Sequence, residues 1–429
     1  MSNQNQLVSK VDWITISLYA LFVLAGWMNI YSAVYNPETH ISIFDAAFYD
    51  SNAGKQLIWI GTSLILIICI FAIDFRFFEA FAPIIYASFI GLLILVPFLG
   101  VTVNGSHSWF KFGFITIQPA EFAKTATALL LAKYINEPQV NLSKWKNQWV
   151  AAAIIGLPMI LIIASNETGS ALVFASFLIL LYREGLPGEY PGLFIGSVTI
   201  FVSALLLSPW TILASLIVIA GGIIGLSPIY IQRLKQTYIK AALFIVGIMF
   251  MVFLVDFAVN KVLKEHQRNR IKVLIDPSFD PRGLGYQLTQ SKIAIGSGGF
   301  WGKGYLQGTQ TKFDFVPAQS SDFIFCTIGE EQGFFGVLLV IILFMVFLWR
   351  LMYLADQQRS RFARAYGYGV VGILFFHFLV NIGMTIGLMP IIGIPLPFFS
   401  YGGSSLWSFT ILLFIFLKLD SHRSDMLSR

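Results

Sequence analysis

The sequence predicts an all-α polytopic membrane protein of about 10–12 transmembrane helices, with one long extracytoplasmic loop and both termini in the cytoplasm. Three observations predict it. Of 429 residues, 57% are hydrophobic and 12% charged, and the mean hydropathy is +0.75. An ordinary soluble chain has roughly 45–50% apolar and about 25% charged residues. Apolar runs of about 20 residues, enough to cross ~30 Å of hydrocarbon, recur along the chain. Lys and Arg are shared unequally between alternate loops, the pattern that sets membrane orientation.

Twelve candidate spans run in order over residues 12–34, 56–74, 78–100, 117–135, 149–165, 169–183, 191–208, 210–227, 240–260, 334–353, 366–389 and 395–418. Ser208-Pro209-Trp210 divides a pair that is either two spans or one re-entrant unit. The first run exceeds the apolar core of a signal peptide and no small-x-small cleavage site follows, so it reads as an uncleaved anchor. With the N-terminus inside, the inside loops hold 16 of the 28 Lys and Arg residues, whereas the short outside loops hold only Lys55 and Lys111. The net charge of +6 is then a property of the cytoplasmic loops, and no nucleic-acid partner is expected. Two cysteines, Cys69 and Cys326, and five scattered histidines make neither a disulfide framework nor a zinc site. His377 stands alone in an apolar span and reads as a packing histidine.

The long outside loop, 261–333, carries nine Lys and Arg residues and is rich in Gly, Gln, Ser and Asp. Loops of that length escape the charge rule, and loops carry chemistry. Asp276-Pro277 and Asp280-Pro281 are turn starters. Tyr286 to Ile295 reads as a short surface helix with Gln287, Gln290 and Ser291 on its polar face. Gly296, Gly298, Gly299, Gly302 and Gly304 bring the backbone close to something. A Walker loop fails because Gly302-Lys303 is followed by Gly304, and a GxGxxG fingerprint fails at Trp301. Two readings remain: backbone N–H groups with Lys303 receiving a lipid diphosphate, or a plain glycine turn. Asp322, between small hydroxyl residues and an apolar run, is a functional candidate at the hydrocarbon edge; equally, Ser320, Ser321 or Asp322 would cap the helix that follows.

Three other polar stretches reach the same side. In residues 104–124, Glu121 and Lys124 have the i, i+3 spacing of an ion pair, and Trp109 reads as an interfacial anchor. Glu167 lies at the outer ends of two spans. In residues 381–407, Pro390, Pro395, Pro397, Gly402 and Gly403 imply a broken helix, tolerated at membrane depth where it is buried in protein or lines a cavity.

Residues Asn381, Gly387, Pro390 and Gly393 through Ser405, in the run NIGMTIGLMPIIGIPLPFFSYGGSS, closely resemble the signature of the SEDS family of shape, elongation, division and sporulation proteins. The blocks QPAEFAK, NETGSAL, GYQLTQSKIAIGSGGFWGKGYLQGTQ, SSDFIF and EEQGFFG match as well, and the resemblance covers most of the chain. Ile392 before GIPLPFFSYGGS resembles the RodA-like elongation branch. The resemblance implies a peptidoglycan glycosyltransferase of the bacterial cytoplasmic membrane, polymerising undecaprenyl-linked lipid II at the outer face beside a class B penicillin-binding protein, a transpeptidase. The matching catalytic residue is Asp322. The matching lysine is Lys124, near the matching acidic position Glu167, and the candidate substrate-binding positions are Lys124, Lys303, Lys111, Trp109, Glu121, Glu167, Gln290, Ser291, Gln310, Ser400 and Ser404. The chain departs from the family pattern at Ala318, Ser320 and Ser108, where Glu, His and Arg are usual, with Lys111 as a substitute charge for the last. Glu167 stands where Asp is usual. Twelve spans replace about ten, so 191–227 reads as an extra helix pair in a single integral membrane domain over 1–429.

The chemistry is compatible. Forming a β-1,4 link from an α-linked diphosphate inverts the anomeric centre in one in-line attack, for which one general base suffices. Asp322 would take the proton of the acceptor 4-hydroxyl, while Lys124, Lys303 and Lys111 would face the leaving diphosphate. A divalent cation, Mg2+ or Mn2+, would assist, although the sequence has no dedicated metal cluster. The alternatives are a flippase or transporter for the lipid-linked precursor and a non-catalytic scaffold for a penicillin-binding protein.

Overall fold

The computed structural model describes residues 11–35, 45–103, 106–113, 115–226, 235–257, 259, 261, 263–312 and 315–423. It divides into two compact units, Met1–Leu186 with Gln287–Arg429, and Pro187–Tyr286.

The first unit opens with α1 (Trp13–Val34), α2 (Asn52–Ala72) and α3 (Phe75–Leu99). Each starts on a side-chain cap that satisfies a free helical N–H: Asp12 accepts from Thr15, Ser51 from Gly54, and Asp74 from Arg76. Next comes a small antiparallel sheet, β1 (Val101–Val103), β2 (Ser106–Phe112) and β3 (Ile115–Ile117), in the order β1-β2-β3. Its register pairs Phe110 with Ile117 and Lys111 with Thr116. The sequence reading held only helices and loops here; the β-branched triplets Val-Thr-Val and Ile-Thr-Ile turn the segment into a meander. Helices α4 (Pro119–Asn136), α5 (Trp145–Ala164), α6 (Thr168–Val173) and α7 (Phe177–Arg183) follow.

The second unit contains α8 (Glu189–Leu206), α9 (Pro209–Leu226), α10 (Lys235–Phe257) and α11 (Glu265–Ile275). Pro209 sits at the start of α9, where its missing N–H costs nothing, so the 191–227 pair is two helices. Val255, Val259 and Ile271 form a core with Phe201, Leu205 and Leu263 packed on it. Both predicted turns are present: Asp276 accepts from Ser278 N at 3.0 Å, and Asp280 from Leu284 N at 2.8 Å.

The chain continues through α12 (Leu284–Ser297), a glycine loop, and α13 (Thr309–Lys312). It ends with α14 (Ile324–Asp356), α15 (Arg361–Thr385) and α16 (Gly403–Ser421). Among the described residues, α1, α2, α3, α5, α14, α15 and α16 are long and apolar enough to cross a membrane. Four further apolar helices, within 168–183, 189–205, 209–222 and 245–255, are shorter. The predicted span at 117–135 is α4, which is interrupted by polar residues and almost wholly buried. Apolar windows in α15 and α16 are 78% buried against 17% in α3 and α5. The central helices are therefore α15 and α16, and polar groups in mid-helix such as His377 and Asn381 are enclosed by protein.

Candidate active site

Between α15 and α16 the chain abandons helix for residues 386–402. Pro390, Pro395 and Pro397 supply no N–H to a helical ladder, and Gly393 and Phe398 take φ of 68° and 66°. The freed backbone groups find side chains instead, as burial requires. His377 Nδ1 meets Pro395 O at 3.1 Å, and Asn381 Nδ2 donates to Ile394 O at 2.7 Å. Ser400 Oγ accepts from Leu396 N at 2.8 Å and donates to Ser321 O at 2.7 Å. Tyr401 N donates to Ser320 O at 2.8 Å.

These last two bonds fasten the segment before α14. Gln319 Nε2 holds Ala33 O at 2.9 Å, and Asn52 Nδ2 holds Ser320 Oγ at 3.1 Å. Asp322 is half-buried, and its own carbonyl accepts from Asn381 Nδ2 at 2.9 Å. The cap of α14 is Phe323, with no side-chain cap bond. The helix cap thus falls one residue beyond the candidates Ser320, Ser321 and Asp322. The Asp322 carboxylate lies against Gly393, where a Cβ would come within 3.2 Å of Oδ2.

A second cluster meets the same irregular segment. Lys124 Nζ contacts Glu121 Oε1 at 2.8 Å and His377 Nε2 at 2.7 Å, over the Phe409 ring at 5.3 Å. Lys124, Glu121 and His377 are all buried, and Glu121 Oε2 has no protein partner. Glu167 lies in the turn between α5 and α6, hydrogen-bonded to Ser108 and Ser170. Burial, and then the Glu121 charge, push its carboxyl up to about 8 against the opposing pull of Lys124. Two residues on, Gly169 sits so close to the segment that a Cβ would fall 2.3 Å from Ile392 O. Asp322 and the Lys124 cluster thus both abut residues 392–395. Asn166 before Glu167, Ala318 before Asp322 and Phe398 are left-handed without being glycine, and such strained residues gather at functional sites.

The family model described as cell cycle protein, that of FtsW, RodA and SpoVE, matches residues 12–218 and 213–425. The chain belongs to this family, the SEDS family. Among SEDS relatives, the peptidoglycan glycosyltransferase RodA of Treponema pallidum is 32% identical, over 97% of this chain and 99% of its own. The peptidoglycan glycosyltransferase MrdB of Escherichia coli is 32% identical over 86% of this chain and 85% of its own. A chain from a peptidoglycan synthase complex that coordinates polymerization and crosslinking matches with a TM-score of 0.71 at 25% identity, over 96% of this chain and 98% of that one. The rod shape determining protein RodA of Thermus thermophilus matches in fold, with a TM-score of 0.61 at 23% identity, over 96% and 97% of the two chains.

The other expected site residues of this SEDS protein fall in three places. Ser400 and Ser404 are buried and tie backbone together; Ser404 Oγ donates to Thr116 O at 2.8 Å and accepts from Gln118 N at 3.2 Å. Trp109 is half-buried on β2, while Lys111 is exposed. Ser108 is the extra residue of a bulge in β2, between Trp109 opposite Val101 and His107 opposite Thr102; it is buried toward Ser165 O at 3.3 Å. On α12, Gln290 is half-buried and Ser291 is buried, donating to Thr385 O at 2.9 Å.

The glycine loop has a partner within the protein. Lys303 N and Gly304 N donate to Glu330 O and Glu331 O at 3.0 and 2.9 Å. Gly302 packs on Gly333, which breaks α14 with a φ of 64°. Lys303 Nζ is held by Glu330 Oε1 at 2.6 Å and Thr309 Oγ1 at 2.8 Å. The same carboxylate accepts the backbone N–H groups of Thr309, Gln310 and Thr311 at 2.7–3.0 Å. Lys303, expected to face a diphosphate, is therefore neutralised inside the loop, and Gln310 contributes its backbone there.

Sequence reasoning missed His377 and assigned no role to Asn381 or Glu330. The available signal was spacing: His377 and Asn381 are two polar residues one turn apart in an apolar helix. Among the described residues, no three His, Cys, Asp or Glu side chains gather as a metal site requires.

Proposed function

We propose that this protein polymerises lipid II into β-1,4 glycan strands, with Asp322 as the general base and a class B penicillin-binding protein as partner. It is a peptidoglycan glycosyltransferase of cell-wall elongation, a multi-pass protein of the bacterial cytoplasmic membrane. The relatives that carry that activity in their names are 32% identical over 97% and 86% of the chain. The charge asymmetry of the loops supports cytoplasmic termini and an outward-facing Asp322.

One observation carries the mechanism: the Asp322 carboxylate lies against the glycine of a broken-helix segment, with no side chain between them. The acceptor 4-hydroxyl oxygen attacks C1 of the donor sugar in line with the diphosphate. The C1–O bond breaks, and undecaprenyl diphosphate leaves with the electron pair. The hydroxyl proton passes to Asp322, a contribution of ~10²–10⁴-fold. Lys124 is enclosed and acts through its field on the developing negative charge, which is strongest in a low-dielectric surround. A divalent cation would accompany the diphosphate as part of the substrate, since among the described residues no three His, Cys, Asp or Glu side chains gather to hold one.

The test supplies labelled lipid II to the purified protein with its penicillin-binding partner and divalent ions. Wild type should form strands, and Asp322→Asn should lose at least ~10²-fold. Strands at equal rates from both would remove Asp322 as the base. No strands from either would favour a flippase, if precursor still crosses the bilayer, or a scaffold, if it does not.

A further inference from the structure

Helix α15 carries His377 and Asn381 four residues apart, about 6 Å along the axis and on one face. Both are fully buried. A buried imidazole or carboxamide is costly unless its polar atoms are satisfied, and the partners here are specific. His377 lies between Lys124 Nζ at 2.7 Å and Pro395 O at 3.1 Å. Asn381 lies between Asp322 O at 2.9 Å and Ile394 O at 2.7 Å.

We propose that His377 and Asn381 are positioning residues that set the separation of Lys124 from Asp322 through the backbone of Ile394 and Pro395. The proposal rests on Asp322 being the base. Hydrogen-bond capacity dictates each orientation. The Pro395 carbonyl only accepts, so His377 Nδ1 carries the proton; the Lys124 ammonium only donates, so Nε2 accepts. Asn381 turns both N–H bonds toward carbonyls, since the reverse orientation would press its oxygen against two others. Its Oδ1 is left buried without a partner, an expense that an apolar residue would avoid. The gain is placement. The Ile394–Pro395 stretch lies outside any helix, between the left-handed Gly393 and Phe398, and Asp322 leans on Gly393. A base displaced by about 1 Å can lose ~10²-fold in rate.

The experiment measures kcat and KM for strand formation from labelled lipid II, using the full-length protein with its penicillin-binding partner, and melting in detergent. Asn381→Asp keeps the shape and loses the donors. Its kcat should fall ~10–100-fold with KM within about threefold, because placement is lost rather than binding. In an Asp322→Asn background the same substitution should cause no further loss, since it acts through Asp322. His377→Phe should lower kcat about tenfold, and His377→Gln, which keeps one donor and one acceptor, should recover most of it. Asn381→Asp with kcat within about twofold of wild type, while Asp322→Asn is inactive, overturns the proposal and leaves the base standing. An active Asp322→Asn removes the base and this proposal with it. If Asn381→Asp does not melt cooperatively, the histidine pair decides: equal kcat for Phe and Gln overturns it.

Discussion

Two Lys–Glu pairs in the first unit look alike in distance and differ in completeness. Lys303–Glu330 spans 2.6 Å and Lys124–Glu121 spans 2.8 Å. Glu330 is saturated by Lys303, three backbone N–H groups and the hydroxyls of Thr309 and Thr311. Lys303 itself remains about a quarter exposed. Glu121 leaves one carboxylate oxygen without a protein partner, and Lys124, wholly enclosed, turns to a histidine. A fully satisfied polar network rigidifies structure, whereas an incomplete one needs a reason to persist. The first pair locks the glycine loop onto the break in α14; the second stands beside the segment that supports Asp322.

The largest expected effect separates activity from stability at the enclosed pair. Glu121→Gln with Lys124→Met removes both charges and so leaves no unpaired buried charge, although His377 Nε2 loses its donor. This double variant should melt near wild type yet form strands ~10²–10³-fold more slowly. An unchanged rate would strip the pair of any catalytic part. Glu330→Ala should do the reverse. It deprives three N–H groups and Lys303 of their acceptor and should cost about 3–5 kcal/mol of stability, read as a lowered melting temperature. A wild-type melt would show that the glycine loop does not depend on this carboxylate.

A third measurement concerns pH. The Glu167 carboxyl is raised from 4.5 to about 8, so the folded protein keeps a proton that the unfolded chain has released. Stability contributed by this group is therefore present below pH 4.5 and falls as the pH rises toward 8. Glu167→Gln should flatten the melting temperature between pH 5 and 9, roughly that window, and exceed wild type at the alkaline end. A parallel pH dependence in the two proteins would count against the assignment. The smallest effect is Lys303→Met. Glu330 keeps its three backbone N–H donors and two hydroxyls when the lysine is gone, so the melt should fall less than in Glu330→Ala. A loss of strands from this variant, with an unaltered melt, would return Lys303 to the substrate.

Spacing and composition make much of this legible in the sequence. The helices follow the apolar runs, and Glu121 and Lys124 pair as i, i+3 predicts. Pro390, Pro395 and Pro397 announce the broken helix. The remainder depended on partners remote in sequence. His377 is 253 residues from Lys124, and an isolated polar residue in an apolar span reads the same whether it packs inertly or bridges two groups. Glu330 resembles any helical glutamate until Thr309–Thr311 close around it. Periodicity tells which face is buried, not what it is buried against. The meander at 101–117 was hidden because strands of three residues are too short for alternation to stand out.

The left-handed Asn166, Ala318 and Phe398 have a consequence for redesign. Each occupies a conformation that glycine would adopt at lower cost, by about 1–2 kcal/mol. Glycine would also widen the range of shapes open to each loop. Ala318→Gly tests which matters more: a variant that melts higher but polymerises more slowly would show that the alanine restricts the wandering of Asp322. A thermostability screen would then select against the enzyme's own precision.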